Sequence, residues 1–140
     1  MSRRVTFYWK CPKYLEYKQL WCFTDWPLIT EKAYNRYVAI EGSVLTARDD
    51  SSRLVGFSRV VSDWCQYAYI QDVIVEPNYR REGIATEMLS MMIEKVKIKD
   101  IHFLALFSTF EGEELYRKIG FETPTENVPL LLIGDPLPKS

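Results

Sequence analysis

The residues best suited to chemistry in this chain lie together between positions 73 and 86. A β-branched run, Val73-Ile74-Val75, stops at Glu76-Pro77, and a short basic loop then carries Arg80 and Arg81. A helical pattern opens at Gly83 and runs through Met88, Leu89, Met92 and Val96. The start of a helix offers main-chain N–H groups with no partner inside the helix, together with the positive end of the helix dipole. Gly83 has no side chain to keep an anion away from those amides, and the two arginines add fixed positive charge. This arrangement serves diphosphate binding. Spacing excludes two common solutions. A mononucleotide P-loop needs a terminal Gly-Lys-Ser/Thr, and a Rossmann fingerprint needs three glycines where this segment has one.

A second segment, Glu114-Leu115-Tyr116-Arg117-Lys118-Ile119-Gly120-Phe121-Glu122, puts a phenol on a helix that ends at a glycine. Upstream, Arg80, Gly83 and Ala85 spell Arg-x-x-Gly-x-Ala after a Val-x-Val-x-Pro strand end. In this order and spacing the two segments resemble the pyrophosphate loop and terminal helix of the GNAT superfamily of acyl-CoA-dependent N-acyltransferases. The likeness is specific from about residue 54 to 122 and architectural elsewhere. It implies acetyl-CoA as co-substrate and no metal. By resemblance, the main chain of Val73, Ile74 and Val75 holds the pantetheine arm, with the Val75 N–H polarising the thioester carbonyl. Amides of Arg81, Glu82, Gly83, Ile84, Ala85 and Thr86 hold the diphosphate, and the Arg80 and Arg81 side chains reach the phosphates. Where the family often has a cofactor-contacting Asn before the last helix, this chain has Thr109 with Ser108 beside it; hydroxyls take the same role with less reach.

Acyl transfer from a thioester to an amine needs a neutral nucleophile, a polarised carbonyl and a proton for the departing thiolate. Tyr116 stands where the family places its general acid. A phenol of pKa ~10 stays protonated at neutral pH and can donate to a thiolate whose conjugate acid lies near ~8.5. The strand positions that carry Glu or His in some relatives hold Tyr69 and Gln71 here, and neither is a competent base. Asp72 is the carboxylate on that strand, and strict alternation aims it opposite Gln71 unless a β-bulge turns it back. Asp72 is therefore the candidate second catalytic residue; water relayed to Asp72 or Asp63, or no dedicated base, are the alternatives. Glu76 reads as a partner of Arg80 or Arg81.

For the acceptor, Trp21, Phe23, Trp26, Tyr34, Trp64, Tyr67 and Tyr69, with Asp25, Glu31 and Asp63, point to an aromatic-walled site for a small primary amine. The expected activity is N-acetylation of a small-molecule amine by direct attack on the thioester. A non-catalytic acyl-CoA-binding domain and a protein or peptide N-acetyltransferase are the competing readings. Surplus aromatics would equally suit a homodimer interface.

The elements that must position these groups show as periodicity. Val5, Phe7 and Trp9 alternate with polar residues in a first strand, and residues 15–23 are loosely helical. Thr30 caps a helix carrying Ala33, Tyr34, Tyr37 and Val38, with Gly42 as its stop. Strands follow at 43–47, 54–61 and 67–75, then the glycine-led helix to about Lys99. The apolar run 101–107 predicts a central strand covered on both faces. Ser108 with Glu111 predicts a capping box for the last helix, and 121–123 and 128–133 predict closing strands before a loose tail. With the resemblance, these elements imply an α/β (α+β) fold. Residues 1–140 would form a single domain, with a mixed, mostly antiparallel central sheet of about six to seven strands, splayed at its centre and flanked by about four helices.

Bulk composition agrees with a packed core: 47% of the 140 residues are hydrophobic and 14% aromatic. A net charge of −1 argues against a general nucleic-acid binder. Cys11, Cys22 and Cys65 are scattered, which argues against structural zinc and a disulfide framework. No leader-like segment and no apolar run of the ~20 residues needed to span a bilayer is present, so no membrane partner and a reduced, cytoplasmic setting are expected.

Overall fold

The structure is a computed structural model that describes residues 4–132. Strands β1 (Val5–Tyr8), β2 (Val44–Asp49), β3 (Leu54–Ser62), β4 (Tyr67–Val75) and β5 (Phe103–Leu106) form one open sheet in chain order. The first four pair antiparallel and β5 runs parallel to β4. Among the described residues four α-helices flank it: α1 (Tyr14–Trp21), α2 (Glu31–Tyr37), α3 (Ile84–Ile98) and α4 (Glu113–Ile119).

The β2–β3 hairpin turns on Asp49, whose carboxylate accepts from the amides of Ser51 and Arg53 at 2.9 and 3.0 Å. Each sheet face then buries its own helices. Leu45, Ala47, Val55, Val60 and Ile70 meet Ile84, Met88, Leu89, Met92 and Val96, the apolar stripe of α3. Gly56 lets α3 approach this closely, because a Cβ there would lie 3.1 Å from the Met88 sulfur and 3.0 Å from the Ala47 Cβ. On the opposite face Val44, Leu54, Phe57 and Ile74 meet Tyr17, Leu20, Trp21 and Tyr34 of α1 and α2. Tyr17 is the hub of that face, with ring centroids of Trp21 and Tyr34 at 4.4 and 4.6 Å. Thr30 caps α2 as expected, accepting from the Ala33 amide at 3.2 Å, a contact worth about 1 kcal/mol.

The C-terminal part departs from expectation. Five strands are formed among the described residues, not six or seven, and residues 121–132 contain none. Pro129 removes a ladder donor from that run, and Val128, Leu130, Leu131 and Leu132 are exposed without the alternation that buries one face of a strand. Ile133 and the tail beyond it lie outside the described residues. In consequence β5 has no neighbour on its outer side among the described residues, and Phe103 is exposed rather than covered on both faces. The Ser108–Glu111 capping box does not form. Gly112 is the N-cap of α4, and its amide donates to the Thr109 hydroxyl at 3.2 Å.

Candidate active site

The two parallel strands separate at their C-terminal ends. Pairing between β4 and β5 runs from Tyr67↔Phe103 to Ile70↔Leu106 and stops, while β4 continues to Val75. A bulge accompanies the separation. Opposite β3, Phe57 pairs with Ile74 and Arg59 with Gln71, so β4 carries one extra residue between them. Asp72 sits there with φ +59°, a left-handed conformation uncommon for a residue with a side chain. Two partners hold it. The Tyr37 hydroxyl donates to Asp72 Oδ2, and the Arg59 guanidinium lies 3.6 Å from the same oxygen. Arg59 also stacks 3.7 Å over the Tyr37 ring and donates to the Tyr37 carbonyl at 3.3 Å. Burial, then the Asp72 charge, push the Tyr37 hydroxyl far above the usual tyrosine range, so it remains a donor at neutral pH.

Beside this bulge lies a cleft of about 770 Å³. One wall is Val73, Ile74 and Val75; the floor is Arg80, Arg81, Gly83, Ile84, Ala85 and Thr86; the far wall includes Thr109, Glu111 and Tyr116. Phe23, Thr24, Asp25 and Trp26, from the α1–α2 connection, complete it. Gly83 is left-handed at φ +82°, and no atom lies within 4 Å of where its Cβ would stand. Arg81 is left-handed too, at φ +63°. A left-handed Gly83 followed directly by the right-handed residues of α3 turns successive amides toward one concavity, a form suited to anions. The first helical bond of α3 is Glu87 N–H to Gly83 O at 3.0 Å, which leaves the amides of Ile84, Ala85 and Thr86 without helical acceptors. These residues fit a diphosphate. Arg80 Nε donates to Val75 O at 3.1 Å and so ties the loop to the end of β4. Glu76 pairs with neither arginine of the loop; it is buried and held by Arg53 at 2.9 Å.

Tyr116 stands on the far wall with its ring over Gly112, where a Cβ would come within 2.9 Å of it, and edge-on to Phe121 at 6.1 Å. Burial raises its pKa, which keeps the phenol protonated. It also borders a second cavity of about 860 Å³ along β5, shared with Tyr69, Phe103 and Ser108. Three of the expected site residues stand apart from the cleft. Asp72 and Glu82 do not line it, and Ser108 faces the second cavity, its hydroxyl donating to Thr109 O at 2.6 Å.

The aromatic set expected for the acceptor is divided by the fold. Trp21 and Tyr34 are core, Trp64 packs near Lys95 Nζ at 5.2 Å, and Tyr67 and Tyr69 pack edge-on to Phe103. Asp63 accepts from the amides of Cys65, Gln66 and Tyr67 at 2.9, 2.8 and 3.1 Å in a turn. Phe23, Asp25 and Trp26 alone of that set line the cleft. Tyr37 and Arg59, which hold the bulge, carry no motif. The signal for Arg59 is an arginine two residues from Phe57 within a mostly apolar strand. Among the described residues no three His, Cys, Asp or Glu side chains gather as a metal-binding group, and no helix is long and apolar enough to cross a membrane.

An open mixed sheet, a separated β4–β5 pair and a helix N-terminus lining the cleft define a domain of the GNAT fold. Residues 40–123 match the acetyltransferase (GNAT) domain family, and the chain belongs to it. A Glycine max protein named histone acetyltransferase TAP1 is 32% identical over 80 residues, 57% of this chain and 35% of that protein. The uncharacterized N-acetyltransferase ycf52 of Porphyra purpurea is 31% identical over 109 residues, 76% of this chain and 63% of that one. The chain thus spans about a third of the soybean relatives it matches. In fold it is similar to a probable acetyltransferase of Staphylococcus aureus, with TM-score 0.81 at 19% identity over 94% of this chain and all of that one. A GNAT family N-acetyltransferase of Escherichia coli, solved in complex with CoA, gives TM-score 0.67 at 17% identity over 87% and 71%.

Proposed function

We propose that this chain transfers the acetyl group of acetyl-CoA to a primary amine of a small molecule. The observation that carries the reading is the left-handed Gly83 at the mouth of α3, set in a cleft that Tyr116 also lines. Acetyl-CoA supplies the activated acyl group when bound. The free amides of α3 and the arginine loop hold its diphosphate, and the Val73–Val75 main chain, which lies beyond the last β4–β5 pair, holds the pantetheine arm. Tyr116 keeps its proton and delivers it to the sulfur. As the C–N bond forms the C–S bond breaks; the amine's proton leaves to solvent, and solvent reprotonates Tyr116. A general acid contributes about 10²–10⁴-fold to such a step. Phe23 and Trp26 among the lining residues give the cleft aromatic surface, which favours a small acceptor with an apolar stem.

A second reading is an acyl-CoA-binding domain without turnover. Its support is that Asp72 is held by Tyr37 and Arg59 and does not line the cleft, so β4 brings no carboxylate to the reacting groups. Calorimetry with CoA and thiol release over a panel of amines separate the two. Binding with turnover that falls in Tyr116→Phe supports catalysis; binding without turnover on any amine supports the second reading.

A further inference from the structure

The α1–α2 connection is a built structure. The Thr24 amide and hydroxyl both donate to Trp21 O, at 2.9 and 2.8 Å, and the Trp26 amide donates back to Thr24 Oγ1 at 3.2 Å. Trp21 Nε1 donates to Pro27 O at 3.1 Å, Trp26 packs edge-on to Trp21 at 5.6 Å, and the Tyr14 hydroxyl donates to Ile29 O at 2.7 Å. These bonds consume the polar groups of the segment around Asp25 and leave its carboxylate out. Asp25 is exposed in the cleft with no ion pair or hydrogen bond among the described residues, flanked by Phe23 and the half-buried Trp26. The cations lining the same cleft come from the α3 loop, as Arg80 and Arg81, whereas its other carboxylate, Glu111, comes from the segment before α4. Charge is therefore segregated by element. The α3 loop attracts anions; the α1–α2 connection, which lines the same cleft as Tyr116, attracts cations.

We infer that Asp25 is a specificity-determining residue that holds a cationic group of the acceptor, and that the acceptor is an aliphatic polyamine. One amine is acetylated while a second, still an ammonium, pairs with Asp25, and the methylene stem lies against Phe23 and Trp26. A charge-assisted hydrogen bond is about twice as strong as a neutral one, and aromatic faces attract ammonium groups, so the three side chains select the same chemistry. This inference rests on the acetyl-transfer reading above.

The test compares spermidine with phenethylamine, which has an apolar body and no second charge, in thiol-release assays of the wild type and Asp25→Asn, alongside spermidine binding to the CoA-loaded protein by calorimetry. The wild type is expected to prefer spermidine, and Asp25→Asn to lower the ratio of the two kcat/KM values about tenfold, with the change in KM. Asp25→Lys is expected to invert the preference. Turnover with an unchanged ratio in both variants overturns the role of Asp25 and leaves acetyl transfer standing. Spermidine binding that Asp25→Asn weakens, with no thiol released from any amine, overturns the catalytic reading and keeps the cation site. Neither binding nor turnover of spermidine overturns the inference outright.

Discussion

Along the β4 wall of the cleft the chain is tied down at successive points: Asp72 to Tyr37 and Arg59, Glu76 to Arg53 at 2.9 Å, Tyr79 to Asp49 at 3.0 Å, and Arg80 to Val75 at 3.1 Å. Across the slot, residues 107–112 form no regular element, Phe107 and Phe110 are 63% and 100% exposed, and β5 is open on its outer side among the described residues. The contrast follows from what each wall contributes. Main-chain amides cannot be re-aimed without moving the strand that carries them, so a wall built from them must be fixed in advance. A wall that contributes one phenol from a short helix can tolerate looser surroundings, provided Tyr116 itself is packed, and its contacts with Gly112 and Phe121 supply that packing.

The strongest blow to the fixed wall is Gly83→Glu, which puts a carboxylate where the diphosphate would sit. CoA affinity is expected to fall by at least ~100-fold, equivalent to about 2.7 kcal/mol, in a calorimetric titration. Gly83→Ala separates charge from conformation: with nothing within 4 Å of the new Cβ, only the left-handed backbone is penalised, by about 1–2 kcal/mol of stability. On the looser wall, Tyr116→Phe is expected to lower kcat about 100-fold while CoA affinity holds. Since burial raises the Tyr116 pKa above the ordinary tyrosine value, the phenol stays protonated through the neutral range, and wild-type kcat is expected to decline only as pH rises past about 10. A decline beginning near pH 8 would assign the proton to another group.

The contrast between walls is tested directly by pairing Asp72→Asn with Phe110→Ala. Asp72→Asn removes the charge facing Arg59 and is expected to cost about 1–2 kcal/mol in denaturant unfolding, with a loss of CoA affinity. Phe110→Ala, at a fully exposed side chain, is expected to stay within about 0.5 kcal/mol. If Asp72→Asn instead lowered kcat with stability and CoA binding intact, Asp72 would be the base and the bulge incidental. The smallest effect concerns Asp49, beneath the fixed wall. The Arg53 amide first, then the Tyr79 hydroxyl and Ser51 amide, hold its carboxyl below the usual range. A carboxyl whose folded pKa is lowered stabilises the fold above its unfolded value near ~3.9, and that contribution fades as pH falls through the lower folded value. Asp49→Asn should therefore flatten the fall of Tm with pH below about 4, and an unchanged slope would mean that the Asp49 turn does not sense acid.

Much of the site was legible before folding. The strand at 67–75 and the helix beginning after Gly83 occupy the residues their patterns predict, because each carries a strong period and an unambiguous stop. Local arguments failed at 108–112 and 121–132. There the Thr109 hydroxyl, three positions before Gly112, took the place of the anticipated cap, and a proline broke an apolar run that composition alone reads as a strand. Asp72 illustrates the boundary. Its conformation depends on partners 13 and 35 residues away along the chain, at Arg59 and Tyr37, which no spacing rule connects to it.

What the residues by themselves determined is the arginine–glycine loop and the start of its helix, since capping, glycine geometry and charge act within a few positions of one another. Which carboxylate is held by partners and which is left unpaired at the cleft was decided only in three dimensions. Asp72 and Asp25 look alike as letters in a chain. Packing gives the first two partners across strands and helix, and leaves the second facing the cleft.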